Sequence, residues 1–261
     1  MRSERLWRLL GRLPVSRREL IETAIVARSV STTMSVKPLM ISFSGIDGAG
    51  KSTQITALTS FLQSAGLRTK LLTFWDDAVV FSRHREYAGH KAFGGELGIG
   101  TPDKPVNRRD KNVKSWPITL MRFLMYAADS VSLRLLATRA DKTDADVMIF
   151  DRYIYDELAN LPLHWTFTRA FIRALLQIVP APDLAFLIDA EPAAARARKP
   201  EYPLEFLHAN REAYLALSRI TGHLTVVAPS SVEESQARIR QAVLAKISQL
   251  QSNFTAVPAM K

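Results

Sequence analysis

The chain has 261 residues, 47% of them hydrophobic, which suits one α/β domain with additions or two small domains. It contains no cysteine, which excludes disulfides, thiolate metal sites and a cysteine nucleophile and fits a reducing compartment. The formal net charge of +10 favours an anionic partner. No apolar run approaches the ~20 residues that span a bilayer, and no nucleic-acid-binding module is recognisable, so nucleic acid is not an expected partner.

Residues 1–37 form a basic N-terminal extension ahead of the predicted core. Eight basic side chains stand there against three acidic ones, beside leucines at helical spacing. Three interpretations remain open: an amphipathic arm that contacts a membrane surface or a partner, a targeting peptide, or an extension created by an upstream start. The last is an option because Met34 and Met40 lie just before the glycine-rich loop. We favour a weakly ordered extension outside the core.

A glycine-rich stretch stands between a short apolar run and a segment with helical apolar spacing. Residues 45–52 read G-x-x-x-x-G-K-S, the pattern of a phosphate-binding loop. Glycines let the backbone N–H groups turn inward around phosphates, the Lys51 ammonium reaches the β- and γ-phosphates, and the Ser52 hydroxyl can ligate Mg²⁺. The predicted nucleotide-binding residues are Gly45, Asp47, Gly48, Ala49, Gly50, Lys51, Ser52 and Thr53.

Apolar runs of strand type begin near residues 39, 70, 147, 184 and 224 and alternate with segments of helical spacing. This pattern predicts an α/β protein with the P-loop NTPase fold: a three-layer, doubly wound arrangement with a five-stranded parallel sheet, helices on both faces and the loop on a central strand. Helices are expected over 53–65, 117–140, 156–161, 164–178, 204–220 and 232–250. The predicted domain covers residues 38–250, and residues 251–261 are expected to form a loose tail.

A long insertion interrupts this alternation at residues 82–116. It is rich in glycine, proline, arginine and lysine and has no periodicity. A loop of this length is either functional or disordered. Two interpretations therefore stay open, a lid over an acceptor and a solvated insertion.

Four apolar residues precede Asp151 where the third strand is predicted to end. This pattern is typical of a second magnesium-associated carboxylate, and a helix cap is the alternative. Arg152 follows directly, and a structural ion pair is one interpretation of it. Trp75 stands at the end of the second strand, where packing and stacking remain equal alternatives, and Tyr153 is expected to pack rather than to act in catalysis.

Four segments together resemble the thymidylate kinases: residues 43–54, 126–129, 150–153 and 182–189. Their order and spacing match that family apart from the insertion, and the resemblance covers residues 38–250. It implies phosphoryl transfer from ATP, with Mg²⁺, to a small phosphorylated acceptor of the nucleoside monophosphate class. It also implies a cytoplasmic enzyme, and it makes a homodimer a further expectation.

The resemblance implies a role for individual side chains. Lys51 and the loop amides would hold the phosphates of ATP, while Ser52 and Asp151 would bind Mg²⁺. Asp47 would lie where family members contact the acceptor sugar, and Arg152 would hold the acceptor phosphate.

The resemblance further implies that the transition-state arginine comes from a lid at residues 191–203, because residues 46–49 of the loop contain no arginine. Arg196 and Arg198 are the candidates, and a solvated helix face is the alternative. A mobile arginine that closes on the transferring group would offset the negative charge on its oxygens.

The acceptor side departs from the family pattern while the donor side is intact. Residues 74–77 replace an Arg-Glu-Pro type segment, no arginine stands beside Asp129, and Asn160 and Leu161 replace a Tyr-Gln pair. Two function hypotheses follow. One is a kinase acting on dTMP or a related phosphorylated acceptor, and the other is a nucleotide-binding switch or partner protein without kinase chemistry.

Overall fold

A computed structural model describes residues 37–78, 116–140 and 144–255. Apart from their ends at Lys37 and Trp116, the basic extension and the insertion lie outside the described residues, so the interpretations given above stay predictions. The strands are β1 (Leu39–Ser44), β2 (Thr69–Thr73), β3 (Val147–Asp151), β4 (Leu184–Ile188) and β5 (Leu224–Val227). The helices are α1 (Lys51–Ser64), α2 (Trp116–Ala140), α3 (Ile154–Leu158), α4 (Thr166–Ile178), α5 (Pro192–Arg198), α6 (Leu204–Thr221) and α7 (Val232–Thr255).

The five strands form one parallel sheet in the order β2-β3-β1-β4-β5. All six residues of β1 and the first four of β3 are buried, so the centre of the sheet is covered on both faces. Helix α1 packs against α7, and α3 contacts both α2 and α6. The predicted doubly wound α/β fold, with the glycine loop on a central strand, is confirmed.

The strand order places the loop at a point where the winding of the sheet reverses. From β1 the chain crosses to β2 and β3 on one side, and afterwards to β4 and β5 on the other. Such a switch point opens a crevice beyond the carboxyl ends of the central strands. Phe43 lies opposite Asp151, and Ser44 lies beside Leu187, so residues that follow β1, β3 and β4 meet there.

Some element boundaries differ from the prediction. Strand β2 ends at Thr73, because Phe74–Ala78 forms a π-helical turn in which Asp77 accepts a hydrogen bond from the Thr73 N–H, at 2.7 Å. Helix α3 begins at Ile154 and ends at Leu158, whereas the prediction was 156–161. Helix α7 continues to Thr255, beyond the predicted helix end at residue 250.

None of the helices in the described part of the chain combines the length and the apolar character needed to cross a bilayer.

Candidate active site

The loop between β1 and α1 encloses the side chain of its lysine. Lys51 is buried at the first position of α1, and its Nζ atom donates to the carbonyl oxygens of Gly45, at 2.8 Å, and Ile46, at 2.9 Å. Burial, together with the nearby charge of Arg152, lowers the pKa of Lys51 to about 8. An anion bound in the loop would favour the charged form of this amine.

Two loop glycines allow close backbone contacts that a side chain would prevent. Gly48 has a φ of +80°, and a Cβ atom there would lie 2.2 Å from the carbonyl oxygen of Ala195 in α5. A Cβ atom on Gly45 would lie 2.4 Å from the carbonyl oxygen of Ile188 at the end of β4. The loop therefore rests directly on the backbone of β4 and α5.

A cleft of about 400 Å³ opens over the loop at the carboxyl end of the sheet. It is lined by Asp47, Gly48, Gly50, Lys51, Ser52, Thr53, Asp151, Arg152, Arg198 and Lys199. Four of these side chains are cationic and two are carboxylates. The excess of positive charge, together with the loop amides and the start of α1, suits a phosphate-bearing ligand.

Arg152 is held between two carboxylates at the rim of this cleft. Its guanidinium donates to Asp156 Oδ1, at 2.9 Å, and forms an ion pair with Asp47. Its backbone is left-handed, with a φ of +69°, and its N–H donates to the Phe43 carbonyl at 2.9 Å. Burial would lower the pKa of Arg152, but the charges of Asp156 and Asp47 raise it above its ordinary value, so it stays charged.

Asp156 accepts three further hydrogen bonds although its side chain is almost fully buried. Its Oδ2 atom accepts from the Ser44 hydroxyl, at 2.7 Å, and from the Tyr153 N–H, at 3.2 Å. Its Oδ1 atom accepts from the Tyr214 hydroxyl of α6, at 2.7 Å. Burial and the charge of Asp156 raise the pKa of Tyr214 well above its ordinary value. This hydroxyl therefore stays protonated and donates a hydrogen bond to Asp156.

The predicted lid brings one of the two candidate arginines to the cleft. Arg198 is exposed, lines the cleft and donates from Nε to the Gly48 carbonyl at 2.8 Å. Arg196 is half-buried and is not among the residues that line the cleft. Two residues of a helix are separated by about 200° of rotation, so these arginines project differently from α5. Lys199, which follows Arg198, lines the cleft and pairs with Glu201 at 3.2 Å.

A clamp formed by Arg211 of α6 fixes the start of the lid. The Arg211 guanidinium donates twice to Asp189, at 2.7 and 2.8 Å, and pairs with Glu191 at 2.9 Å. These contacts attach the end of β4 and the segment that leads into α5 to helix α6. Their planar, two-pronged geometry favours a defined orientation of the lid.

Ser52 and Asp151 contribute one hydroxyl and one carboxylate to the same cleft. Mg²⁺ is typically bound through one or two carboxylates together with phosphate oxygens and water. In the described ranges, no group of three or more histidine or acidic side chains could hold a metal ion by itself. The donor set fits a Mg²⁺ ion that arrives with a nucleotide, and the magnesium roles of Ser52 and Asp151 stay predictions.

Other predicted residues play a packing role. Tyr153 is fully buried, and its hydroxyl donates to the Pro180 carbonyl at 2.6 Å, as expected for a packed residue. Trp75 packs against the core at the edge of the Phe74 ring, which favours the packing interpretation. Of the predicted nucleotide-binding residues, Gly45 and the buried Ala49 do not line the cleft.

Sequence patterns did not identify the side chains that hold the site in place through hydrogen bonds without lining the cleft. Ser44, Asp156, Tyr214 and Arg211 were not singled out. Their partners lie far away in the sequence, and no spacing rule connects, for example, Asp156 to Tyr214. Only Asp156 carried a local signal, because it stands four residues after Arg152, the spacing of a helical ion pair.

The fold and the loop together define a P-loop nucleotide-binding protein of the α/β class. No protein-family model matches the chain. It is 25% identical over 217 residues to a probable thymidylate kinase of Pyrobaculum aerophilum, covering 78% of this chain and 95% of that protein. It is likewise 25% identical over 211 residues to a probable thymidylate kinase of Methanosphaera stadtmanae, covering 79% and 97%. Over most of its length the chain is therefore similar to thymidylate kinases.

A solved structure supports the same fold. The thymidylate kinase from Ehrlichia chaffeensis superimposes with a TM-score of 0.50 at 16% identity, covering 79% of this chain and 98% of that chain. At this identity the likeness concerns the fold alone.

Proposed function

We propose that this protein is an ATP-dependent phosphotransferase of the thymidylate kinase type, which moves the γ-phosphate of ATP to dTMP or a related phosphorylated acceptor. The names of the relatives support this reaction class. The observation that carries the proposal is the cleft itself, in which the phosphate-binding loop, Arg152 and Arg198 converge from three different parts of the chain.

The residues of the cleft divide into a donor side and an acceptor side. Lys51 and the loop amides bind the donor phosphates, because they form a positively polarised cradle at the start of α1. Arg152 lines the same cleft, where it binds the acceptor phosphate. Mg²⁺, when bound, neutralises charge on the phosphates, and Ser52 and Asp151 are the residues that would hold it.

Arg198 supplies the mobile positive charge. Its side chain reaches the cleft from α5 and already touches the loop through the Gly48 carbonyl. Negative charge spreads over the oxygens of the transferring group, so a guanidinium placed there lowers the barrier to transfer. No general base is required for this step, because catalysis rests on position and charge.

A second candidate function is a nucleotide-binding switch that lacks phosphoryl transfer. Its support is the pairing of Arg152 with Asp47 and Asp156. These two carboxylates already neutralise the positive charge that would otherwise bind an acceptor phosphate. In that case the protein would bind ATP and change its association with a partner, without any acceptor being phosphorylated.

An ADP-release assay with Mg·ATP and a panel of nucleoside monophosphates and other small phosphorylated acceptors separates the two functions. The kinase proposal expects release that depends on one acceptor and falls steeply in Arg152→Met. A matched control is Arg238→Ala, which changes an exposed arginine of α7 away from the cleft. Tight ATP binding without stimulation by any acceptor would favour the switch.

The homodimer and the cytoplasmic location remain proposals. A row of exposed apolar side chains follows one side of α2, with Leu120, Leu124, Val131 and Leu135 each at least half exposed. Isolated exposed leucines are common, but a row that continues over four turns favours burial against a second copy of this chain. Sedimentation velocity tests the dimer, and cell fractionation tests the location.

A further inference from the structure

We infer that Asp156 is a positioning residue that fixes the guanidinium of Arg152 for the acceptor phosphate, with Tyr214 of α6 holding Asp156 in place. This inference rests on the proposed function, because it assigns how the acceptor side of that site is organised. It concerns a buried carboxylate that does not itself line the cleft.

The hydrogen bonds around Asp156 restrict its carboxylate to one orientation. Each oxygen accepts two hydrogen bonds, Oδ1 from Arg152 and Tyr214 and Oδ2 from Ser44 and the Tyr153 N–H. The donors come from β1, from the turn after β3 and from α6. A carboxylate that is saturated in this way cannot rotate without leaving a buried donor unpaired, which is costly.

Arg152 needs such support because its backbone is in an unfavourable region. Among the described residues it is the only one besides glycines with a positive φ. A left-handed arginine persists where surrounding contacts hold it. The guanidinium has five N–H donors, of which Asp156 and Asp47 each engage one, so it keeps donors for a phosphate.

Helix α6 supports both this arginine and the lid. Tyr214 contacts Asp156, while Arg211, one turn earlier, clamps Asp189 and Glu191 at the start of the lid. The same rigid helix therefore sets the position of the acceptor arginine and the entry of the lid. Removal of the Tyr214 hydroxyl should loosen Arg152 without disturbing the Arg211 clamp.

The experiment compares Asp156→Asn and Tyr214→Phe with the wild type. Loss of the buried charge in Asp156→Asn should raise KM for the acceptor about 10-fold or more. KM for ATP should rise much less, since Asp156 bonds directly to Arg152 and reaches Lys51 only through its charge. Tyr214→Phe should also raise KM for the acceptor, by a smaller factor. A merely structural role would lower the active fraction and leave both KM values unchanged.

The matched control is Asp146→Asn, which removes another buried carboxylate from an arginine pair. Asp146 accepts three hydrogen bonds from Arg68 at the opposite end of β3, away from the cleft. This variant should lose stability without any change in KM for the acceptor. An equal rise in the acceptor KM for Asp146→Asn and Asp156→Asn would overturn the inference.

A second readout keeps this inference separate from the proposed function. In protein with labelled arginine side chains, NMR should show a motionally restricted Arg152 guanidinium, assigned with Arg152→Lys, which becomes mobile in Tyr214→Phe and in Asp156→Asn. This readout needs no acceptor, so it decides the point even if no compound is phosphorylated. Restricted Arg152 signals in both variants would overturn the inference.

Discussion

Arg198 of the lid donates a hydrogen bond from its Nε atom to the carbonyl oxygen of Gly48 in the phosphate-binding loop, across 2.8 Å. The two residues are 150 positions apart in the chain. The contact joins the element that would hold the donor phosphates to the element that would supply the mobile charge.

Replacement of Arg198 by alanine should therefore lower kcat by about 10²- to 10³-fold, as expected for loss of a transition-state arginine. Thermal stability should change little, because the side chain is exposed. Arg196→Ala should have a smaller effect on kcat, because Arg196 does not line the cleft. Steady-state kinetics on both variants checks this prediction, and equal losses of kcat would contradict the assignment of the lid arginine.

Gly48→Ala should disrupt the close contact between α5 and the phosphate-binding loop. The new Cβ atom would meet the Ala195 carbonyl oxygen at 2.2 Å, in addition to the cost of a positive φ. The control is Gly66→Ala, where φ is +84° but no atom lies within 4 Å. Gly66→Ala should cost about 1–2 kcal/mol of unfolding free energy, and Gly48→Ala about 2 kcal/mol more. Denaturant unfolding measures both, and equal costs would show that the loop and α5 separate freely.

Nucleotide binding above pH 8 should be accompanied by proton uptake. The pKa of Lys51 in the free protein is about 8, so part of the amine is neutral at pH 8.5. Bound phosphates favour the ammonium and raise this pKa, so the protein takes up a proton as it binds. Calorimetry at pH 8.5 in buffers of different ionisation enthalpy detects the uptake.

The control for this titration is Lys51→Arg, because arginine stays protonated across this pH range. Its binding enthalpy should show less dependence on the buffer than that of the wild type. The same buffer dependence in both proteins would assign the proton to another group.

Leu124→Glu should weaken self-association of the chain. Leu124 is 68% exposed and lies in the middle of the apolar row on α2. A carboxylate at this position would be buried without a partner if two copies meet there. Sedimentation velocity should show a dimer for the wild type and a monomer for this variant. Val232→Glu, at another exposed apolar residue, should leave the dimer intact, and a wild-type monomer at high concentration would contradict the proposal.

Local patterns predicted the part of the site that is built from neighbouring residues. The glycine loop and Lys51 follow β1, and the Asp151-Arg152 pair stands at the end of β3. Strand and loop patterns were therefore enough to bring them to one edge of the sheet. The rotational orientation of the short helix α5 was harder to predict. A count of residues in the lid could not decide between Arg196 and Arg198, because their direction depends on how α5 packs against Gly48.

The supporting contacts could not be predicted from sequence for a physical reason. Asp156 and Tyr214 are 58 residues apart, and Asp189 and Arg211 belong to different elements. Such pairs are created by the packing of α6 against the carboxyl end of the sheet, and local propensity does not encode that packing. The alternatives of ion pair and phosphate ligand for Arg152 also prove compatible, because its guanidinium pairs with two carboxylates and still lines the cleft.

The most direct test of the account is transfer of labelled phosphate from γ-labelled ATP to an acceptor, with the product identified by chromatography. The ADP-release assay indicates transfer through its dependence on an acceptor, whereas a labelled product demonstrates transfer directly. We predict that label appears in the diphosphate formed from dTMP or a related monophosphate, and that Arg152→Met and Arg198→Ala reduce it while Arg238→Ala does not. Label found only in free phosphate, with every acceptor tested, would contradict the proposed phosphotransferase.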